Sequence, residues 1–250
     1  FYGPPGTGKT LLAQALQTIL PPLAHNEMLE LMQIYSSAGL LKNPQQLLHE
    51  RPFRSVHPSC SLPGLIGGGR SALPGEISLA HHGILFFDEI AEAPRALLES
   101  LRQPLEDRRI TVTRLHHNVI YPANFTLVAA MNPCPCGYYG SQEKSCTCTN
   151  SNIIRYHKKL SGPILDRFDL FIQLERQAIK LAPDPLAQTS KTFRESINKA
   201  RLRQTARFKT ATHGSTTGRG SAILLNSQMK PAHLPEFCPI TARTEKLLTD

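Results

Sequence analysis

The first residues of the chain have types and spacing suited to one kind of chemistry. Gly3-Pro4-Pro5-Gly6-Thr7-Gly8-Lys9-Thr10 fits G-x-x-x-x-G-K-[ST], the pattern of a phosphate-binding loop. Its glycines let backbone N–H groups turn toward phosphate oxygens where a Cβ would intrude. Lys9 is placed to reach the β- and γ-phosphates of ATP, and the Thr10 hydroxyl to bind Mg2+. Leu11 completes the stretch expected around the nucleotide. A helix should begin here, because its N-terminus adds amide donors and a positive dipole end. Leu12, Leu16, Ile19 and Leu20 recur at helical spacing, and Pro21-Pro22 stop the run.

Hydrolysis needs a metal ligand and a group that activates water. Ile84-Leu85-Phe86-Phe87 reads as a buried parallel strand and ends in Asp88-Glu89. Beside a phosphate loop, Asp88 would hold Mg2+ through its water shell, and Glu89 would polarise the attacking water. Residues 125–131 read as a second buried strand, ending at Asn132. Its amide is expected to reach the γ-phosphate or the attacking water. Cys134-Pro135-Cys136 and Cys146-Thr147-Cys148 follow at once. Two such pairs close together suggest one tetrahedral four-thiolate site, hence structural Zn2+. Cys60 and Cys238 lack that spacing.

Other elements must position these groups. Residues 26–38 read as a helix that ends at Gly39. Residues 43–82 are irregular and rich in Pro and Gly, with Arg51, Arg54 and His57 available to nucleic acid or a neighbouring subunit. Pro94 opens a helix through about Glu106, with Leu97, Leu98, Leu101 and Leu105 as its apolar stripe. Residues 110–113 and 118–121 alternate as a hairpin with a basic tip at 114–117. Arg167 sits between apolar neighbours at a helix end, before a further strand over 170–174. A linker over 177–190 is followed by a basic helix over 191–209. A flexible Gly/Ser/Thr-rich run over 210–221 and helical structure over 224–250 complete the chain.

The chain has 250 residues, with 28 Lys and Arg against 19 Asp and Glu and a formal net charge of +9. That balance suits a polyanion such as DNA, although surplus Lys and Arg often serve only solubility. No apolar run approaches the ~18 residues of a membrane span. A phosphate loop with clustered cysteines suits a reducing, cytoplasmic setting. Only Phe1-Tyr2 precede the loop, so the strand that feeds it is expected to begin upstream.

In this order, the phosphate loop, acidic strand end, strand-end Asn and Leu165-Asp166-Arg167-Phe168-Asp169 resemble the AAA+ ATPases. With Arg51-Pro52-Phe53-Arg54, Gly67-Gly68-Gly69 and Asn132-Pro133-Cys134-Pro135-Cys136-Gly137, the chain looks like the Mg-chelatase-like YifB/ComM family. The resemblance implies an α/β fold: a P-loop AAA+ core with a parallel sheet flanked by helices. That core would span 1–176 with a Cys-rich insert at 133–150, then the linker at 177–190 and a partial C-terminal helical lid at 191–250. It implies that Asp88 and Glu89 form the Walker B pair, that Asn132 is sensor 1, and that Arg167 is a finger acting on the next subunit's ATP. It implies a hexameric ring linked to DNA branch migration, with the hairpin facing the central pore. Ser55-Val56-His57-Pro58 departs from the family's Pro-His-His, and the lid arginine is expected beyond residue 250. Two alternatives stay open: a metal-chelatase-type motor subunit that remodels a protein partner, and an inactive nucleotide-binding module.

Overall fold

The computed structural model describes residues 1–41, 48–69, 71–113, 118–142, 144–176, 188–211, 225–241, 244 and 246–247. The expected hairpin tip at 114–117, most of the linker and most of the Gly/Ser/Thr-rich run lie outside the described residues. The chain divides into two compact units, Phe1–Ala187 and Gln188–Asp250.

The apolar run Ile84–Phe87 is buried along its whole length, with a neighbouring strand on each side. Phe53–Val56 pairs with it in parallel, Phe53 opposite Ile84, and Thr126–Ala129 pairs on the other side, Thr126 opposite Ile84. Single parallel bridges extend the order from Met131 to Tyr2 and from Tyr2 to Gln173. Met131 N–H donates to Phe1 O at 2.9 Å, and Leu174 N–H donates to Tyr2 O at 2.7 Å. Tyr2 therefore lies inside the sheet, between the strand that leads to Asn132 and the segment around Gln173. Because all these strands run one way, the phosphate loop, Asp88 and Asn132 emerge at one edge. That edge is where open α/β sheets bind ligands. The expected strand over 170–174 is reduced to one bridge, and Leu170 and Phe171 are exposed.

Side chains alternate across a strand, so the central run serves two cores. Leu85 and Phe87 pack with Leu97, Leu98 and Leu101, while Ile84 and Phe86 pack with Val128 and Ala13. Ala13 is the buried residue of the helix Lys9–Ile19, with Leu16 partly buried. Leu12, expected on the inner face, is 38% exposed. The small Ala13 side chain takes the position closest to the sheet.

The expected helix over 94–106 is two helices, Arg95–Ser100 and Arg102–Asp107, with Leu101 between them. Pro104 explains the break, since it lacks an N–H and its ring opposes the carbonyl four residues back. The hairpin forms as expected from Arg109–Thr113 and Asn118–Pro122, with Thr113 opposite Asn118. In the second unit the helix Ser190–Ala211 forms. The helical structure expected over 224–250 is present only in short pieces among the described residues. The described residues there include two single turns, the short helix Leu234–Phe237 and helical positions at 244 and 246–247. Pro231, Pro235 and Pro239 account for this.

Candidate active site

The phosphate loop takes its shape from backbone that only glycine adopts readily. Gly6 and Gly8 have φ of 80° and 77°. A Cβ at Gly3 would fall 2.2 Å from Leu174 O, so the loop's first residue is set by close approach to the neighbouring segment. Leu12 N–H donates to Gly8 O at 2.8 Å and starts the helix directly behind Lys9. Lys9 Nζ donates to Gly3 O and Pro4 O, each at 2.8 Å, and to Asn132 Oδ1 at 3.1 Å. The ammonium thus lies folded over its own loop. Partial burial lowers its pKa, with Asp88 and Glu89 opposing the shift.

Thr10 Oγ1 donates to Asp88 Oδ2 at 3.0 Å, and Asp88 Oδ1 accepts the Glu89 N–H at 3.0 Å. A hydroxyl and a carboxylate in contact are hard oxygen donors of the kind Mg2+ takes, so this pair fits the ion. Glu89 has φ of 48°, a left-handed conformation at the strand end, and is exposed. Lys9, Thr10, Asp88, Glu89 and Asn132 are brought to one sheet edge across as many as 123 positions of sequence.

Arg167 is engaged elsewhere. Its Nη2 donates to Glu106 Oε2 at 2.8 Å at the surface. Two further bonds run alongside: Ser161 Oγ donates to Glu99 Oε1 at 3.1 Å, and Lys159 Nζ donates to Glu92 Oε2 at 2.7 Å. The segment bearing Arg167 is thereby fastened to the run that follows Asp88-Glu89. Glu92, Glu99 and Glu106 recur every seventh residue, a regularity visible in the sequence but without meaning until their partners are known.

The four cysteines converge. Cys134, Cys136 and Cys146 Sγ atoms lie 3.3–3.6 Å apart, and Cys148 joins them with all four within 4.8 Å. A tetrahedral zinc thiolate, with bonds of about 2.3 Å, needs S···S separations of about 3.8 Å, so the set fits Zn2+. Tyr139 N–H donates to Cys134 Sγ and Cys148 N–H to Cys146 Sγ. Backbone N–H groups of Tyr138 and Thr147 stabilise the Cys136 thiolate and lower its pKa to about 5.

Two arginines read as available to a partner are engaged within the chain. Arg51 donates to Pro21 O, Pro22 O and His82 O and pairs with Glu27 at 2.7 Å; its side chain is only 12% exposed. Arg54 grips Glu76 with two bonds of 2.6 and 2.7 Å. His57 remains at the surface beside Ser59. In a second group of metal-ligating side chains, Glu30, His81 and His82, the ring of His81 is already engaged on both nitrogens. Asn124 N–H donates to His81 Nδ1 at 2.9 Å, so Nε2 carries the ring proton and donates to Glu30.

The family model for magnesium chelatase, subunit ChlI, matches residues 1–181. YifB of Salmonella typhimurium is 40% identical over 250 residues, 99% of this chain and 46% of that protein. Competence protein ComM of Haemophilus influenzae is 44% identical over 207 residues, 80% of this chain and 39% of that protein. The chain therefore spans less than half the length of the curated relatives it matches. Among solved structures, a complex between magnesium chelatase subunits BchI and BchD matches with a TM-score of 0.50 at 16% identity. That match covers 86% of this chain and 69% of that one. The solved structure shares the fold, and the family model and the relatives show that the chain belongs to the YifB/ComM family of Mg-chelatase-like AAA+ proteins.

Proposed function

We propose that this chain is the ATP-hydrolysing core of a motor that assembles as a hexameric ring and acts on DNA. The observation that carries the reading is the meeting of Lys9, Thr10, Asp88, Glu89 and Asn132 at the loop edge of the sheet. ATP is the substrate. Its phosphates would lie against the loop amides and the N-terminus of the helix Lys9–Ile19. Lys9 would exchange its bonds to Gly3 O, Pro4 O and Asn132 for phosphate oxygens. That exchange leaves the Asn132 amide to hold the γ-phosphate or the water. Glu89 would accept a hydrogen bond from the attacking water and align it with the γ-phosphorus. Thr10 and Asp88 would hold Mg2+, which when bound neutralises charge on the β- and γ-oxygens. Arg167 would supply positive charge to the ATP of the next subunit.

DNA as the partner is supported by the net charge of +9 and the basic helix Ser190–Ala211. It is also supported by the competence role in the name of the ComM relative. Cys134, Cys136, Cys146 and Cys148 would hold one Zn2+ per chain, in a structural role. The deciding experiment is steady-state ATP hydrolysis with and without DNA. Stimulation by DNA is the expected result. Hydrolysis indifferent to DNA and raised by a protein partner would replace this reading with a chelatase-type motor.

A further inference from the structure

The Cys-rich insert touches the phosphate loop. The chain leaves Asn132 through Pro133, whose carbonyl faces His157 Nε2 at 3.0 Å, and enters Cys134, which is fully buried. Gly137 N–H then donates back to Cys134 O at 2.9 Å and closes a tight turn with Gly137 φ at +85°. The closing residue of that turn, Gly137, lies against Pro5. A Cβ at Gly137 would come within 2.8 Å of Pro5 Cδ and 3.2 Å of Cγ. Pro5 and Lys9 belong to one loop, and Lys9 donates to Asn132. The insert therefore meets the nucleotide site twice, through the chain at Asn132 and through packing at Pro5.

Nothing in regular secondary structure holds this contact in place. The described residues between Asn132 and Thr149 form no helix or strand. The four-thiolate cluster is what ties the turn at 134–137 to the return segment at 146–148. Four thiols make only weak hydrogen bonds, whereas four bonds to one ion set the turn rigidly.

We propose that the four-cysteine knuckle is a metal-dependent brace on the nucleotide site, pressing Gly137 on Pro5 and setting the position of Asn132. The proposal rests on the zinc reading above and adds to it that metal occupancy governs nucleotide affinity. With the metal in place, the loop is held in the form that receives phosphate. With the metal lost, the turn relaxes, Pro5 loses its support and the nucleotide site loosens while the sheet stays folded.

The test uses two glycines with nearly the same backbone. Gly140 has φ of +76° and open space where a Cβ would go, whereas Gly137 has Pro5 there. Gly137→Ala and Gly140→Ala thus carry the same backbone penalty, and only the first adds a clash with the loop. Three measurements are made on each purified protein: zinc per chain by elemental analysis, the melting temperature, and the Kd of a fluorescent ADP. Gly137→Ala should keep one zinc and bind ADP about ten-fold more weakly, and Gly140→Ala should bind as the wild type does. Cys148→Ser should lose zinc and weaken ADP binding by a similar factor. Equal ADP affinity in Gly137→Ala and Gly140→Ala overturns the contact. Normal ADP affinity in a zinc-free, folded Cys148→Ser overturns the metal dependence. A wild-type protein without zinc removes the metal reading itself, and Gly137→Ala against Gly140→Ala still decides the contact.

Discussion

Replacing Glu106 with alanine should slow ATP hydrolysis by up to about five-fold without weakening ATP binding. The magnitude follows from the pair it forms. Arg167 Nη2 lies 2.8 Å from Glu106 Oε2, with side chains 36% and 64% exposed. Such an exposed pair contributes at most about 1 kcal/mol after screening, or roughly five-fold if all of it orients the guanidinium. Arg167→Ala should cost far more, on the order of 10³ in rate, because it removes the charge rather than its tether. The two effects must not add. If Glu106 acts only through Arg167, then Glu106→Ala in an Arg167→Ala background changes nothing. The assay is steady-state ATP hydrolysis by the wild type, both single variants and the double variant, with ATP affinity and melting temperature measured in parallel. A further five-fold loss in the double variant would show that Glu106 works independently of Arg167. An Arg167→Ala protein with full activity would remove the finger assignment altogether.

Glu89→Gln should bind ATP and hydrolyse it orders of magnitude more slowly, whereas Lys9→Ala should weaken binding itself; wild-type turnover by Glu89→Gln would refute the Walker B role. Mixing Arg167→Ala with Lys9→Ala subunits should restore part of the activity, since each supplies what the other lacks at a shared interface. A co-assembled mixture as inactive as its components would place the finger elsewhere. Acid should destabilise the fold through His81. Burial, and then the neighbouring His82, push its pKa from 6.5 down to about 4. Below pH 6.5 the unfolded chain takes up the proton first, so stability should fall between pH 6.5 and 4 by up to roughly 3 kcal/mol. Urea midpoints across that range should show this slope in the wild type and a shallower one in His81→Gln; equal slopes would mean that His81 is not held neutral.

The groups that do chemistry were legible because their constraints are local. A phosphate loop needs glycines and a lysine at set intervals within a few residues, and Gly6 and Gly8 show the left-handed backbone that such a loop requires. Ile84–Phe87 announced a strand buried on both faces because its residues are apolar without alternation, and two cysteine pairs in one short run announced a cluster. Pro104 and the prolines after residue 230 were visible too, but the apolar spacing reads through them, and the breaks emerged only in the structure. What only the tertiary structure decided is pairing between residues far apart in the chain. Arg51 and Arg54 look the same in sequence whether they face a partner or a half-buried glutamate of the same chain, and the fold alone supplied Glu27 and Glu76. Ala13 rather than Leu12 became the inner residue of its helix because the sheet lies close there. The contact of Gly137 with Pro5, and the bonds from Lys159, Ser161 and Arg167 to three regularly spaced glutamates, join positions about 60 to 130 residues apart. Local spacing specifies what a side chain can do, but its partner is chosen by the packing of the two cores that brings distant segments within hydrogen-bond reach.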